Sequence, residues 1–130
     1  MTAYAATLDD IRAAADRIRP FVHRTPIMTC ATIDRLAGRS IVFKCEHLQR
    51  TGAFKYRGAT NAVLKLGPLA DKGVVTHSSG NHGQALALAA KVRGVPAHIV
   101  MPANASEVKK AAILGYGGIV HVSGPSLAER

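Results

Sequence analysis

The sequence predicts an α/β fold, a small doubly wound unit on a parallel sheet. Three observations carry this. Apolar, Val/Ile-rich runs near 73–77, 95–101 and 118–122 read as short strands. Helical patterns lie between or before them, near 56–66, 82–93 and 107–114. Each pattern stops at a glycine: Gly67, Gly94 and Gly115. Strands alternating with helices in this way pair in parallel through right-handed crossovers.

Each element has its own justification. Thr7 caps a first helix, and Asp9 and Asp10 sit in its first turn, where the helix dipole favours acids. Leu8, Ile11, Ala15 and Ile18 form one apolar stripe, and Pro20 stops the helix. The stripe is narrow, so the helix is expected to lie on something larger. Residues 21–28 read as extended, partly because Pro26 biases Thr25 away from the helical region. Residues 32–37 form a short helix closed by Gly38. Residues 41–45 read as a strand apolar on both faces, as an interior parallel strand would be. A loop over 48–54 leads to Lys55 and the helix over 55–66. Ser106 stands ready to cap the helix over 107–114, and a last helix begins at Ser126 and runs to Arg130.

Composition narrows the function. The chain of 130 residues is 48% hydrophobic, which is enough for a core, and no run is long and apolar enough to span a membrane. Cys30 and Cys45 lack any metal-ligand or CxxC spacing and read as buried thiols in a reducing, cytoplasmic setting. Seventeen basic residues against eight acidic ones would suit nucleic acid. The bases are scattered, however, and aromatic interleaving is missing, so the charge reads first as that of a fragment whose balancing acids lie elsewhere and second as an attraction for a phosphate-bearing ligand. His23, His47, His77, His98 and His121 fit no zinc spacing and read as structural; no metal site is expected.

Two stretches carry chemistry. In Arg50-Thr51-Gly52-Ala53-Phe54-Lys55, a glycine turn delivers one lysine to a helix N-terminus. The dipole there opposes a cation, and packing behind Phe54 would strip water from it; both favour the neutral, nucleophilic amine. In His77-Ser78-Ser79-Gly80-Asn81-His82-Gly83-Gln84, a polar loop joins a strand to a helix. In open α/β sheets that edge holds the ligand crevice, and its free N–H groups and hydroxyls suit a carboxylate or phosphate.

Together the two stretches resemble the fold-type II pyridoxal-phosphate enzymes, in particular the threonine/serine dehydratase and serine racemase branch. The resemblance runs from Glu46 to Ala59 and from Ser78 to Ala85, with support from Arg24-Thr25-Pro26, Val100-Met101-Pro102 and residues 109–117. It implies that residues 1–47 are an N-terminal piece of the large domain and residues 48–130 a truncated small domain. It implies pyridoxal 5'-phosphate as cofactor, Lys55 as Schiff-base lysine and general base, Phe54 beside the ring, and Asn81 on the ring hydroxyl. Ser78, Ser79, Gly80, Asn81 and His82 would grip the substrate carboxylate, and Ser79 would supply an acid/base group in the racemase branch. The activity implied first is threonine/serine ammonia-lyase, giving a 2-keto acid and ammonia. Serine racemisation, or a non-catalytic fragment that only binds anions, are the alternatives. The implied partners are a small amino-acid substrate and further copies of the full-length protein, with neither nucleic acid nor membrane. Phosphate-anchoring and cation-binding residues are not found within 1–130, so this stretch alone is expected to be inactive.

Overall fold

The computed structural model describes residues 5–124, 126, 128 and 129. Its elements run α1 (Leu8–Ile18), β1 (Ile27–Met28), α2 (Ala31–Ala37), β2 (Phe43–Lys44), α3 (Lys55–Lys65), β3 (Val74–His77), α4 (Asn81–Arg93), β4 (Ala97–Pro102), α5 (Glu107–Gly115) and β5 (Ile119–Ser123). Strands β3, β4 and β5 form a parallel sheet in that order, with Val75 opposite His98 and His98 opposite Ile119. This is the expected α/β architecture.

The core forms where α4 meets the sheet and α3. Ala97, Ile99 and Met101 on alternate positions of β4 are all buried, together with Ala85, Leu86, Ala89 and Ala90 of α4 and Tyr56, Ala59 and Val63 of α3. Helix α4 packs on more than one side, so its apolar residues wrap around it instead of forming a stripe. Alanine at four buried positions lets its neighbours approach closely, which a Leu-rich helix would prevent. Gly118 shows how tight the fit is: a Cβ there would stand 2.7 Å from Ile113 Cγ2.

Helix α1 begins with the expected cap, elaborated into a reciprocal box: Thr7 Oγ1 accepts from Asp10 N at 3.2 Å, and Thr7 N donates to the Asp10 carboxylate at 2.8 Å. Arg17 Nη1 donates to Asn61 Oδ1 on α3. Leu8 and Ile11 stay exposed, so the stripe is only partly covered.

Several expectations are corrected. The strand expected over 41–45 is reduced to Phe43–Lys44 and pairs antiparallel with Ile27–Met28; it is not an interior parallel strand. Both two-residue strands are exposed, and Val42 is 66% exposed, so apolarity on two faces did not signal burial among these residues. The loop before Lys55 is ordered into two short 3-10 turns, Glu46–Leu48 and Arg50–Gly52. Ser106 occupies the cap position of α5 without a side-chain bond. Gly115 lies inside α5, and the left-handed residue after it is Gly117, at φ 85°. The expected last helix includes Leu127 and Arg130, which lie outside the described residues; Ala128 and Glu129 form a turn.

Candidate active site

Lys55 is the first residue of α3. The chain reaches it through two consecutive left-handed residues, Thr51 at φ 63° and Gly52 at φ 67°. Thr51 is the only non-glycine with positive φ among the described residues, and its buried Oγ1 has no hydrogen-bond partner there. Such a conformation persists only when its surroundings enforce it. Gln49, nearly fully buried, supplies part of that enforcement. Its Oε1 accepts from His23 N and Arg50 N, and its Nε2 donates to His23 O.

A second anchor lies just beyond. Arg57 donates through Nε and Nη2 to the two oxygens of Glu46, and Thr25 Oγ1 donates to Glu46 Oε1 at 2.6 Å. Arg57 Nη2 also reaches His23 O at 3.1 Å. Two separate stretches, around residues 23–25 and 46–49, are thereby fixed to the first turn of α3. Hydrogen bonding from Arg57 holds the Glu46 carboxyl down at about 2, and the same bond raises the Arg57 guanidinium.

The loss of water expected at Lys55 is not found. Lys55 is exposed, and its Nζ lies 5.2 Å from the centroid of the Phe54 ring, itself 59% exposed. Here Phe54 offers the ammonium a π-face instead of an enclosing wall.

The loop after β3 divides the labour of its two serines. Ser78 Oγ accepts from Gly80 N at 3.2 Å and Gly83 N at 3.0 Å, so this hydroxyl is occupied as a helix cap. Ser79 is exposed, and its hydroxyl has no hydrogen bond among the described residues. Asn81 and His82, the first two residues of α4, lie where N–H groups have no intrahelical acceptor.

A cleft of about 440 Å³ brings Phe54, Lys55 and His82 together over a wall that includes Ala59, Val63 and Leu86. Ser78, Ser79, Gly80 and Asn81 do not line this cleft; they stand at the N-terminal end of α4 beside it. Partial burial of its ring pushes the His82 imidazole down from its usual range, and the positive charges of Lys55 and His77 push it further. A neutral imidazole is therefore favoured near pH 7. Sequence reasoning missed a further cation: Lys109 Nζ lies 3.5 Å from where a Cβ of Gly80 would stand. The signal was available, since Lys109 is in the first turns of α5 and so belongs to the same sheet edge as the loop.

These residues fit a pyridine aldehyde bearing a phosphate. The cleft offers one exposed primary amine, an aromatic ring beside it, and an apolar wall of the usual ligand-site size. The N–H groups that open α4 stand at its border, and Lys109 lies beyond them near Gly80.

A family model described as "Pyridoxal-phosphate dependent enzyme" matches residues 18–130. The chain belongs to this family. Serine racemase of Arabidopsis thaliana is 52% identical over 98% of the chain, a match covering 39% of that protein. The β-hydroxyaspartate dehydratase of Paracoccus denitrificans is 48% identical over 98% of the chain and 41% of its own length. The structure of maize serine racemase superposes with a TM-score of 0.93 at 52% identity, over 97% of this chain and 39% of that one. The chain thus spans about two fifths of the length of the relatives it matches. Family members depend on pyridoxal phosphate. Among these relatives the racemase alternative has more support than threonine ammonia-lyase.

Proposed function

We propose that this chain is part of a pyridoxal-phosphate-dependent enzyme of the serine racemase type, with a dehydratase (ammonia-lyase) reaction on β-hydroxy amino acids as its companion activity. The supporting observation in the site is the division between the serines: Ser78 is committed to capping α4, whereas the Ser79 hydroxyl is exposed and uncommitted. The names of the relatives support the same reading.

Pyridoxal phosphate, when bound, supplies an aldehyde for a lysine amine and an electron sink for the substrate α-carbon. Everything else falls to the chain. Lys55 is the anchoring amine, and once displaced it takes the α-proton at Nζ. Its exposure leaves that amine accessible. Ser79 Oγ is the second proton-transfer group, which a racemase needs and a simple lyase does not. The N–H groups of Asn81 and His82, with Gly80 allowing close approach, receive the substrate carboxylate. The Asn81 amide serves the cofactor's ring hydroxyl, and Phe54 packs beside the ring. Ser78 acts through the loop by holding Gly80 and Gly83. Residues 1–47 are assigned to a large domain and 48–130 to a small one, in a cytoplasmic homo-oligomer whose substrate is an amino acid.

The test is product analysis on the full-length protein given pyridoxal phosphate and L-serine. D-serine is followed by chiral chromatography and pyruvate by a coupled assay. The parent should give both products and Lys55→Ala neither; Ser79→Ala should lose D-serine while still releasing pyruvate. Pyruvate without D-serine from the parent would return the ammonia-lyase reading to first place. No product from L-serine or L-threonine would overturn both.

A further inference from the structure

The face of the sheet opposite α4 carries an unassigned pair of imidazoles. His98 on β4 and His121 on β5 are diagonal neighbours, since His121 pairs with Val100 and His98 with Ile119. Their side chains meet: His98 Nδ1 lies 3.0 Å from His121 Nε2, with ring centroids 5.2 Å apart and planes tilted by 36°. His121 is exposed and His98 half-buried, so solvent reaches the pair.

We propose that His98 and His121 form a two-imidazole site for a divalent first-row cation that prefers tetragonal coordination, Ni2+ or Cu2+, joining β4 to β5. Two nitrogens 3.0 Å apart, each about 2.1 Å from a metal, subtend about 90° at it. That is the cis angle of square-planar and octahedral complexes and is narrower than the tetrahedral angle zinc prefers. The centroid separation shows the rings meeting end to end, so each must turn about its Cβ–Cγ bond to aim at one ion. That torsion is broad for histidine. Neighbouring strands hold both ligands, so the second nitrogen binds at a high effective concentration. The described residues contain no group of three or more His, Cys, Asp or Glu able to hold a metal, so solvent takes the remaining positions. Sequence spacing could not reveal the pair, because its adjacency exists only across the sheet.

Ni2+ is the probe, because Cu2+ would also oxidise Cys30. Titration of the full-length protein should show a Ni2+ site that depends on these two imidazoles. His98→Gln and His121→Gln should each weaken it by roughly 100-fold, whereas His47→Gln, at an exposed position elsewhere, should leave it unchanged. Ni2+ should also raise the melting temperature of the parent and not of His121→Gln. In the unmodified protein, Ni2+ should broaden the ring proton signals of His98 and His121 before those of the other histidines, a readout independent of any variant's folding. Parent-like affinity in His121→Gln, or broadening that spares these two rings, would overturn the proposal.

Discussion

The guanidinium of Arg57 grips the carboxylate of Glu46 as a fork, with Nε to Oε2 at 2.8 Å and Nη2 to Oε1 at 2.7 Å. Arg57 is two residues beyond Lys55, so this forked pair fixes the turn of helix from which the lysine projects. Paired hydrogen bonds between charged groups are among the stronger polar contacts, and geometry as well as charge sets their strength.

The pair should make stability depend on pH in a defined window. The Glu46 carboxyl titrates at about 2 in the folded chain against an ordinary 4.5. The folded value is the lower one, so the stabilisation is complete above about 4.5 and is lost as pH falls towards 2. Both side chains keep contact with solvent, which screens the pair, so its size is about 1–2 kcal/mol. Urea unfolding of parent and Glu46→Gln should differ by about that much at pH 7, and the gap should narrow steadily below about pH 4.5. A gap that stays constant with pH would assign the effect to packing.

The two serines of the loop after β3 should separate cleanly. Ser78→Ala removes the acceptor for Gly80 N and Gly83 N and should cost about 1 kcal/mol. Ser79→Ala removes no bond among the described residues and should leave the unfolding midpoint unchanged. Equal destabilisation by both would refute the division of roles.

Thr51 holds a left-handed conformation, which costs an ordinary residue about 1–2 kcal/mol, and it buries an unpartnered hydroxyl. Thr51→Gly should raise stability by up to about 1 kcal/mol, after allowance for glycine's freedom in the unfolded chain. If the strain serves to present Lys55, turnover should fall as stability rises. A drop in stability would show that the Thr51 methyl group matters more than the strain.

Gly118→Ala should destabilise by about 1–3 kcal/mol through overpacking. The new methyl would stand 2.7 Å from Ile113 Cγ2 and 3.1 Å from Ala87 Cβ, both in the core. Ile113→Ala, which removes Cγ2, should cost less in the Gly118→Ala background than in the parent. Independent, additive effects in the double variant would show that the two positions do not compete for space.

What could be read from the sequence was whatever depends on local pattern. The strands over β3–β5 and the helices between them follow from apolar runs and glycine stops, and their ends fall within about two residues of expectation. Lys55 at a helix start and the polar loop at a strand end are equally local facts. What could not be read depends on distant neighbours. Val42 and Phe43 are exposed because, among the described residues, the one strand beside them is Ile27–Met28, which no periodicity announces. The Glu46–Arg57 fork and the Lys109 amine above Gly80 likewise need the folded chain to bring them together.

The strand order β3-β4-β5 has a kinetic consequence. Every strand lies beside its successor in the chain, and one helix spans each gap. Closing such short loops costs little entropy, and sheets with local connections fold faster than those that must wait for a remote partner. On the ribosome, β3 and β4 can pair as soon as α4 has emerged, and β5 can add to them in turn. The loop of Ser78–His82 would therefore take shape early in synthesis, before α5 brings Lys109 beside Gly80.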